Sequence, residues 1–322
     1  MNPLWLPLAV AAYAVFSING VVDKFLVSSK LKNPLIVSFW VGLFGIPSAL
    51  ILLIGLVPAP WASAFKFVMP SPDGLLLITA AGLTLQLSLM LGYMALFRGE
   101  ATRVTPTIGA ATPVFALIFA YLILGERMPP ASYAAFGLLL AGAVIVSFKR
   151  GGRPNLAFAL AVASGAAAAF ETVLIKLVYS YNNFISSFAL LGLGNIVFCA
   201  ILLAFVPAVR QELAHALHPK PAKGAKRVKR IVSSGGFLVF VNNLLGSAGV
   251  VVLNLALKLG PISLVNALKG LQYVGIFLIA LLLARPFPKL LKEELTAQTV
   301  RQKLLGIVVI GFGLGLLVVT IP

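Results

Sequence analysis

Ten apolar runs, each about as long as a bilayer is thick, follow one another along the chain with short polar turns between them. The first five are Leu4 to Leu26, Pro34 to Val57, Gly74 to Phe97, Val104 to Leu124 and Ala131 to Phe148. The second five are Leu156 to Tyr179, Phe184 to Val206, Gly235 to Leu257, Pro261 to Leu283 and Leu304 to Ile321. About 20 residues rising 1.5 Å each cover roughly 30 Å of hydrocarbon, so every run predicts one membrane-crossing helix. The runs lack the alternation of a barrel strand, and lipid cannot satisfy open backbone groups, so helices are expected throughout.

The pattern repeats. Tyr93-Met-Ala-Leu-Phe-Arg-Gly-Glu-Ala-Thr-Arg-Val104 reappears as Asn254-Leu-Ala-Leu-Lys-Leu-Gly-Pro-Ile-Ser-Leu-Val265. Each copy continues into an apolar span, a charged turn and a glycine-punctuated last span, Gly137 to Gly142 in one and Gly306 to Gly311 in the other. The chain therefore divides into residues 1–150 and 151–322, with five spans apiece. Five is odd, so the second copy must enter the membrane from the opposite side. The expected fold is all-α and integral to the membrane, with ten helices in two inverted repeats.

Composition agrees with this pattern. The chain is 60% hydrophobic and 10% charged, and its mean hydropathy is +1.05. A soluble domain carries about 25% charged residues, so most of this surface must face lipid. Met1-Asn-Pro-Leu-Trp5 has no basic leader region, and the first run is expected to be a retained span. Cys199 is the single cysteine, which excludes an internal disulfide and a cysteine metal cage.

The formal net charge of +17 raises nucleic acid as a partner, but the charges sit between the spans. Of the 25 lysines and arginines, 19 fall in the odd-numbered connections, which predicts that those face the cytoplasm and that both termini lie outside. The longest connection, 207–234, carries the basic block Lys220 to Arg230 without interleaved aromatics. It reads as a solvated topology signal that touches anionic headgroups, and not as a base-stacking surface. His215 and His218 stand at helical spacing without a third ligand beside them, so no metal or other cofactor is expected.

Ala95-Leu96 before a polar turn, Pro106 and Pro113 in the next span, Leu124-Gly-Glu126 and the Gly137/Gly142 span resemble the EamA-type repeat of the drug/metabolite transporter superfamily. The second copy offers Ala256-Leu257, Gly260-Pro261, Glu294-Leu-Thr296 and Gly306/Gly311. It departs from the first by having Val274 where Pro113 stands, and by a long turn from Arg285 to Thr296. The resemblance implies a central cavity lined by spans one, three, four, six, eight and nine, and outward movement of small metabolites. It also implies cytoplasmic termini, opposite to the charge count. The expected setting is a bacterial or archaeal inner membrane.

Ionisable groups deep in a span cost several kcal/mol and are functional candidates by default. Lys269 lies eight residues into span nine, about 12 Å deep, and ideal helical geometry puts Asn266, Lys269 and Tyr273 on one face with Gln272 on its shoulder. Glu171 sits eight residues before Tyr179 in span six, at a matching depth from the same side. These two opposite charges are expected either to pair statically or to exchange that pairing for a substrate's charge. Asn19 in span one aligns with Glu171; Gln86 and Tyr93 in span three, Thr112 in span four and Asn243 in span eight complete the candidate lining. Asp23 and Lys24 lie near a membrane interface, where snorkelling is the simpler reading. The small residues Gly311/Gly315 and Gly137/Ala141 are expected to let helices approach within the bundle, or else to form a dimer face.

The function these features favour is a secondary transporter, an exporter of small metabolites, working by alternating access as a monomer or homodimer among membrane lipids. No GxxxxGK[ST] motif provides for direct ATP coupling. A flippase for lipid-linked sugars is the alternative. A membrane-embedded enzyme is more remote, since both histidines lie in the basic connection and no aspartate pair is present.

Overall fold

The computed structural model describes residues 3–30, 33–45, 67–99, 101–127, 129–147, 156–217, 236–284 and 297–320. Every regular element among them is an α-helix. In the first half these are α1 (Trp5–Lys30), α2 (Pro34–Gly45), α3 (Pro72–Leu96), α4 (Ala101–Leu124) and α5 (Pro130–Ser147). The second half contains α6 (Leu156–Tyr181), α7 (Phe184–Leu190), α8 (Gly192–Phe205), α9 (Pro207–Leu217), α10 (Gly236–Leu259), α11 (Ile262–Ala267), α12 (Gly270–Ala284) and α13 (Ala297–Thr320). Among the described residues, five stretches are long and apolar enough to cross a membrane: Trp5–Val22, Pro72–Leu96, Thr107–Leu124, Leu156–Tyr181 and Phe184–Phe205.

Local chemistry sets several boundaries. Ser71 caps α3 by accepting from the Gly74 amide at 3.1 Å, with Pro72 at the first helical position. Asn183 does the same for α7, accepting from the Ser186 amide at 3.1 Å. The turn after α4 needs Gly125, whose φ of 62° is open to glycine at little cost. Pro106 and Pro113 do not interrupt α4, which is continuous.

Burial follows the logic of a lipid solvent. Small side chains such as Ala9, Ala81, Ala116, Ala161 and Ala169 are buried where helices touch, while Leu76, Leu122, Phe205, Leu282, Phe312 and Val319 point outward.

The packing partners cross the two halves in a reciprocal way. First-half α1 packs on second-half α10 and α12; second-half α6 packs on first-half α3 and α4; α5 and α13 pack on each other. The α3–α6 contact includes a mutual serine bond, Ser88 Oγ to the Ser164 carbonyl at 2.9 Å and Ser164 Oγ to the Ser88 carbonyl at 2.8 Å.

Several sequence expectations are corrected. Span nine is not one helix: α11 ends at Ala267 and α12 begins at Gly270. At the break, the amides of Lys269, Leu271 and Gln272 bond three residues back, to Asn266, Leu268 and Lys269, at 3.1, 2.9 and 3.1 Å. This tightened winding defeats the ideal-helix arithmetic that set Asn266, Lys269 and Tyr273 on one face. Span seven is likewise split, at Leu191. The small-residue contacts are also displaced. A Cβ at Gly137, Gly311 or Gly315 would meet nothing within 4 Å, whereas one at Gly142 would fall 2.6 Å from Ile310 and one at Gly313 3.0 Å from Leu139. Gly142 and Gly313 therefore seat α5 on α13.

The basic connection starts as helix α9, which buries Val209. Arg210 donates to the Leu203 and Ala204 carbonyls at 3.3 and 2.9 Å, closing the end of α8, where a cation suits the helix dipole. The Lys220 to Arg230 block, His218 and the Arg285 to Thr296 turn lie outside the described residues, as do the side chains of Asp23, Lys24, Pro106 and His215.

Candidate functional site

The break in span nine is held in place by its neighbours. Gly270 lets α12 lie against α5 and α13, since a Cβ there would sit 3.2 Å from that of Ala143. On the other flank, Gly275 and Gly20 bring α12 and α1 together, and Ser17 Oγ donates to the Gln272 carbonyl at 3.2 Å. Residues 261–268 are all buried. Lys269 thus leaves the chain where the helix is interrupted, in the interior of the bundle and half-buried itself.

Glu171 reaches the same region from α6. It is buried, at 9% exposure, and interacts electrostatically with Lys269 and with the Tyr179 phenol two turns further along α6. Among the described residues, however, no hydrogen bond or ion pair joins Glu171 to Lys269. Two ionisable groups of opposite type therefore share a low-dielectric interior without contact, where a charge is costly to desolvate and interacts strongly with any other.

Neutral polar groups frame the pair. Asn266 is buried, and its Nδ2 donates to Thr172 Oγ1 at 3.3 Å and to the Ile262 carbonyl at 3.0 Å. The Tyr179 hydroxyl donates to Asn254 Oδ1 at 2.7 Å, and Asn254 Nδ2 returns to the Val250 carbonyl at 2.8 Å. Helices α6, α10 and α11 together supply these groups.

The other sequence candidates separate into distinct places. Gln86 faces α2 and α8: its Nε2 donates to Asn195 Oδ1 at 2.9 Å, and it lies beside Gly42 and Gly45. Thr112 is buried and donates to the Ile108 carbonyl of its own helix at 2.8 Å, where α4 meets Gly165 of α6. Asn19 lies against Gly246 of α10, and Gln272 Nε2 donates to the Phe16 carbonyl of α1 at 3.4 Å. Tyr93 is half-buried on α3. The side chains of Asn243 and Tyr273 lie outside the described ones. The structure thus brings Glu171, Lys269 and Asn266 together and places Gln86 and Thr112 in helix-packing contacts.

Two groups that matter were not among the sequence candidates. Glu126, in the turn after α4, accepts from the Ile262 amide at 3.2 Å through Oε2 and from Ser263 Oγ at 3.3 Å through Oε1. Lys176 of α6 donates to the Gly260 carbonyl at 2.5 Å and the Lys258 carbonyl at 3.5 Å, and interacts electrostatically with Glu126. The signal for Glu126 was present: Pro261 begins α11 with no side-chain cap, so the first amides of that helix needed an acceptor from elsewhere.

A surface groove of about 600 Å³ lies apart from all of this, on the outer face between α5 and α13, lined by Leu138, Val308, Gly311, Phe312, Gly315, Leu316 and Val319. Its lining is wholly apolar, which suits lipid tails more than a metabolite.

Residues 3–148 match the EamA-like transporter family, the family that the repeat resembles. A solved structure described only as "Crystal structure of protein" superposes with a TM-score of 0.64 over 98% of this chain and 96% of that chain, at 15% identity. That likeness shows the fold alone. No curated protein matches the chain.

Proposed function

We propose that this chain, whose residues 3–148 match the EamA-like transporter family, is a secondary transporter that exports small metabolites by alternating access. The observation that carries the reading is the Glu171–Lys269 relationship: an acidic and a basic side chain that share the bundle interior without bonding, beside an interrupted span. Interrupted spans are where transporters often place substrate, because the half-helix ends there line a polar site. A permanent structural pair would be expected to close into contact, since contact is what offsets desolvation. A polar substrate between the two side chains would satisfy both. Asn266, Asn254 and Tyr179 would frame it with neutral hydrogen-bonding groups.

The reciprocal packing across the halves supports a ten-span bundle of two inverted repeats. A pairing of span one with spans eight and nine, answered by span six with spans three and four, is what a two-fold axis produces and a translation does not. The export direction and the cell-membrane location come from the family resemblance.

The test is counterflow in proteoliposomes against a metabolite panel, with and without a proton gradient. A transporter accumulates at least one labelled compound above empty vesicles. Uptake at the empty-vesicle level for the whole panel, from folded protein, would contradict the reading.

A further inference from the structure

The turn that joins α10 to α11 is gripped from three sides at one end of the bundle. Glu126 holds the start of α11 by its backbone amide and by Ser263. Lys176 holds the Gly260 and Lys258 carbonyls. Trp5 of α1 is fully buried over Gly260, so close that a Cβ on that glycine would fall 2.5 Å from the indole. The Lys258 ammonium adds a fourth, weaker contact, 5.4 Å from the centre of the Phe184 ring.

These contacts are of two kinds. The Trp5 packing is broad and apolar. The Glu126 and Lys176 contacts are few, polar and directional, and neither belongs to the helix it holds. Beyond them stands α11, a six-residue segment with a second interruption at its far end, Leu268 to Gly270. A short rigid piece bounded by two breaks in the helical ladder is a lever, since φ/ψ changes concentrate at its ends. The lever carries Asn266 and leads straight to Lys269. Helix α6 carries both Glu171 and Lys176, so one element links the interior acid to the outer grip.

We propose that Glu126 and Lys176 form the latch of a gate: the 258–261 turn and α11 swing about the Leu268–Gly270 break to open this end of the bundle, and the two side chains hold it shut in the conformation described. The inference rests on the transporter reading. Glu126 and Lys176 are positioning residues and touch no substrate. They are weak enough, as a handful of polar contacts, to be exchanged during a cycle.

The experiment uses the full chain in proteoliposomes, with Cys199→Ser as background and spin labels on cysteines at Asp73 and Lys258, both exposed at this end. Wild type gives one dominant distance. Lys176→Met, which keeps the aliphatic stem and loses the charge, and Glu126→Gln each raise a longer-distance population at least about fivefold, the shift expected when one state loses a few contacts that the other never had. In parallel, a membrane-impermeant thiol reagent modifies Ala267→Cys, buried in the described conformation, at least about fivefold faster when Lys176 is methionine. Unchanged distances and rates in both folded variants would make the pair a static brace and overturn the proposal. So would failure of both variants to fold, because a latch is dispensable to the folded state. A panel of metabolites that goes untransported while the turn still opens would leave the latch standing and remove the transport reading; transport with an immobile turn would do the reverse.

Discussion

Glu171 on α6 and Lys269 at the α11–α12 break lie within electrostatic reach of each other in the bundle interior without meeting. The relationship separates two roles that a contact pair would merge, stability and binding. Neutralising one member leaves the other as an isolated interior charge. Glu171→Gln or Lys269→Gln should therefore each lower stability by about 2 kcal/mol, less than the roughly 3–5 kcal/mol lost when a contact pair is broken. The double variant should recover most of that loss, because no uncompensated charge remains. Thermal melts of the purified proteins in detergent check this; a double variant no more stable than either single one would show that the two groups are independent.

The α5–α13 seam makes a sharper prediction about glycine. At Gly142 a methyl group would collide with Ile310 and with the Gly306 backbone, so Gly142→Ala should cost about 1–3 kcal/mol through overpacking. Gly311→Ala and Gly315→Ala add a methyl into open space and should be neutral or gain up to about 1 kcal/mol from helix propensity. Melting temperatures of the three variants rank them directly.

Gly125 tests how Glu126 is aimed. Its φ of 62° disfavours any residue with a Cβ, so Gly125→Ala should cost about 1–2 kcal/mol. Beyond that loss, it should increase thiol modification of Ala267→Cys, because a displaced Glu126 no longer holds the Ile262 amide. A melt and a labelling time course on the same preparation separate the two effects.

Tyr179→Phe removes the donor to Asn254 Oδ1 and leaves a buried acceptor unsatisfied. The expected cost is about 1–3 kcal/mol. Replacing Asn254 with leucine in the same chain should return part of it, since an apolar pair of similar shape leaves nothing unpaired; a double-mutant cycle on thermal stability measures the coupling.

What was legible in the sequence was what lipid dictates locally. Runs such as Gly74 to Phe97 and Leu156 to Tyr179 coincide with α3 and α6 because a spanning helix must satisfy its own backbone and face hydrocarbon. Glu171 and Lys269 stood out because charge is expensive there. The rest depended on contacts between distant segments. Nothing in Leu268-Lys269-Gly270 announces a break, as no proline marks it, and Gly270 alone is equally suited to close packing. Glu126 meets Ile262 136 positions away, a pairing that spacing cannot reveal. Four-residue spacing identifies a face of small residues without saying which face meets a helix; within the bundle the contact falls to Gly142 and Gly313, while Gly311 and Gly315 lie open. The polarity of Gln86 suggests a cavity residue but does not reveal that its Nε2 donates to Asn195 of α8.

The most direct measurement is uptake of a compound found in the counterflow screen, compared among wild type, Glu171→Gln, Lys269→Gln and the double variant, each verified as monodisperse and folded. Substrate held between the two charges predicts at least about a tenfold fall in both single variants, equivalent to roughly 1.4 kcal/mol of lost binding or more, and no recovery of transport in the double variant even as its stability returns. Wild-type uptake in both single variants would contradict the account.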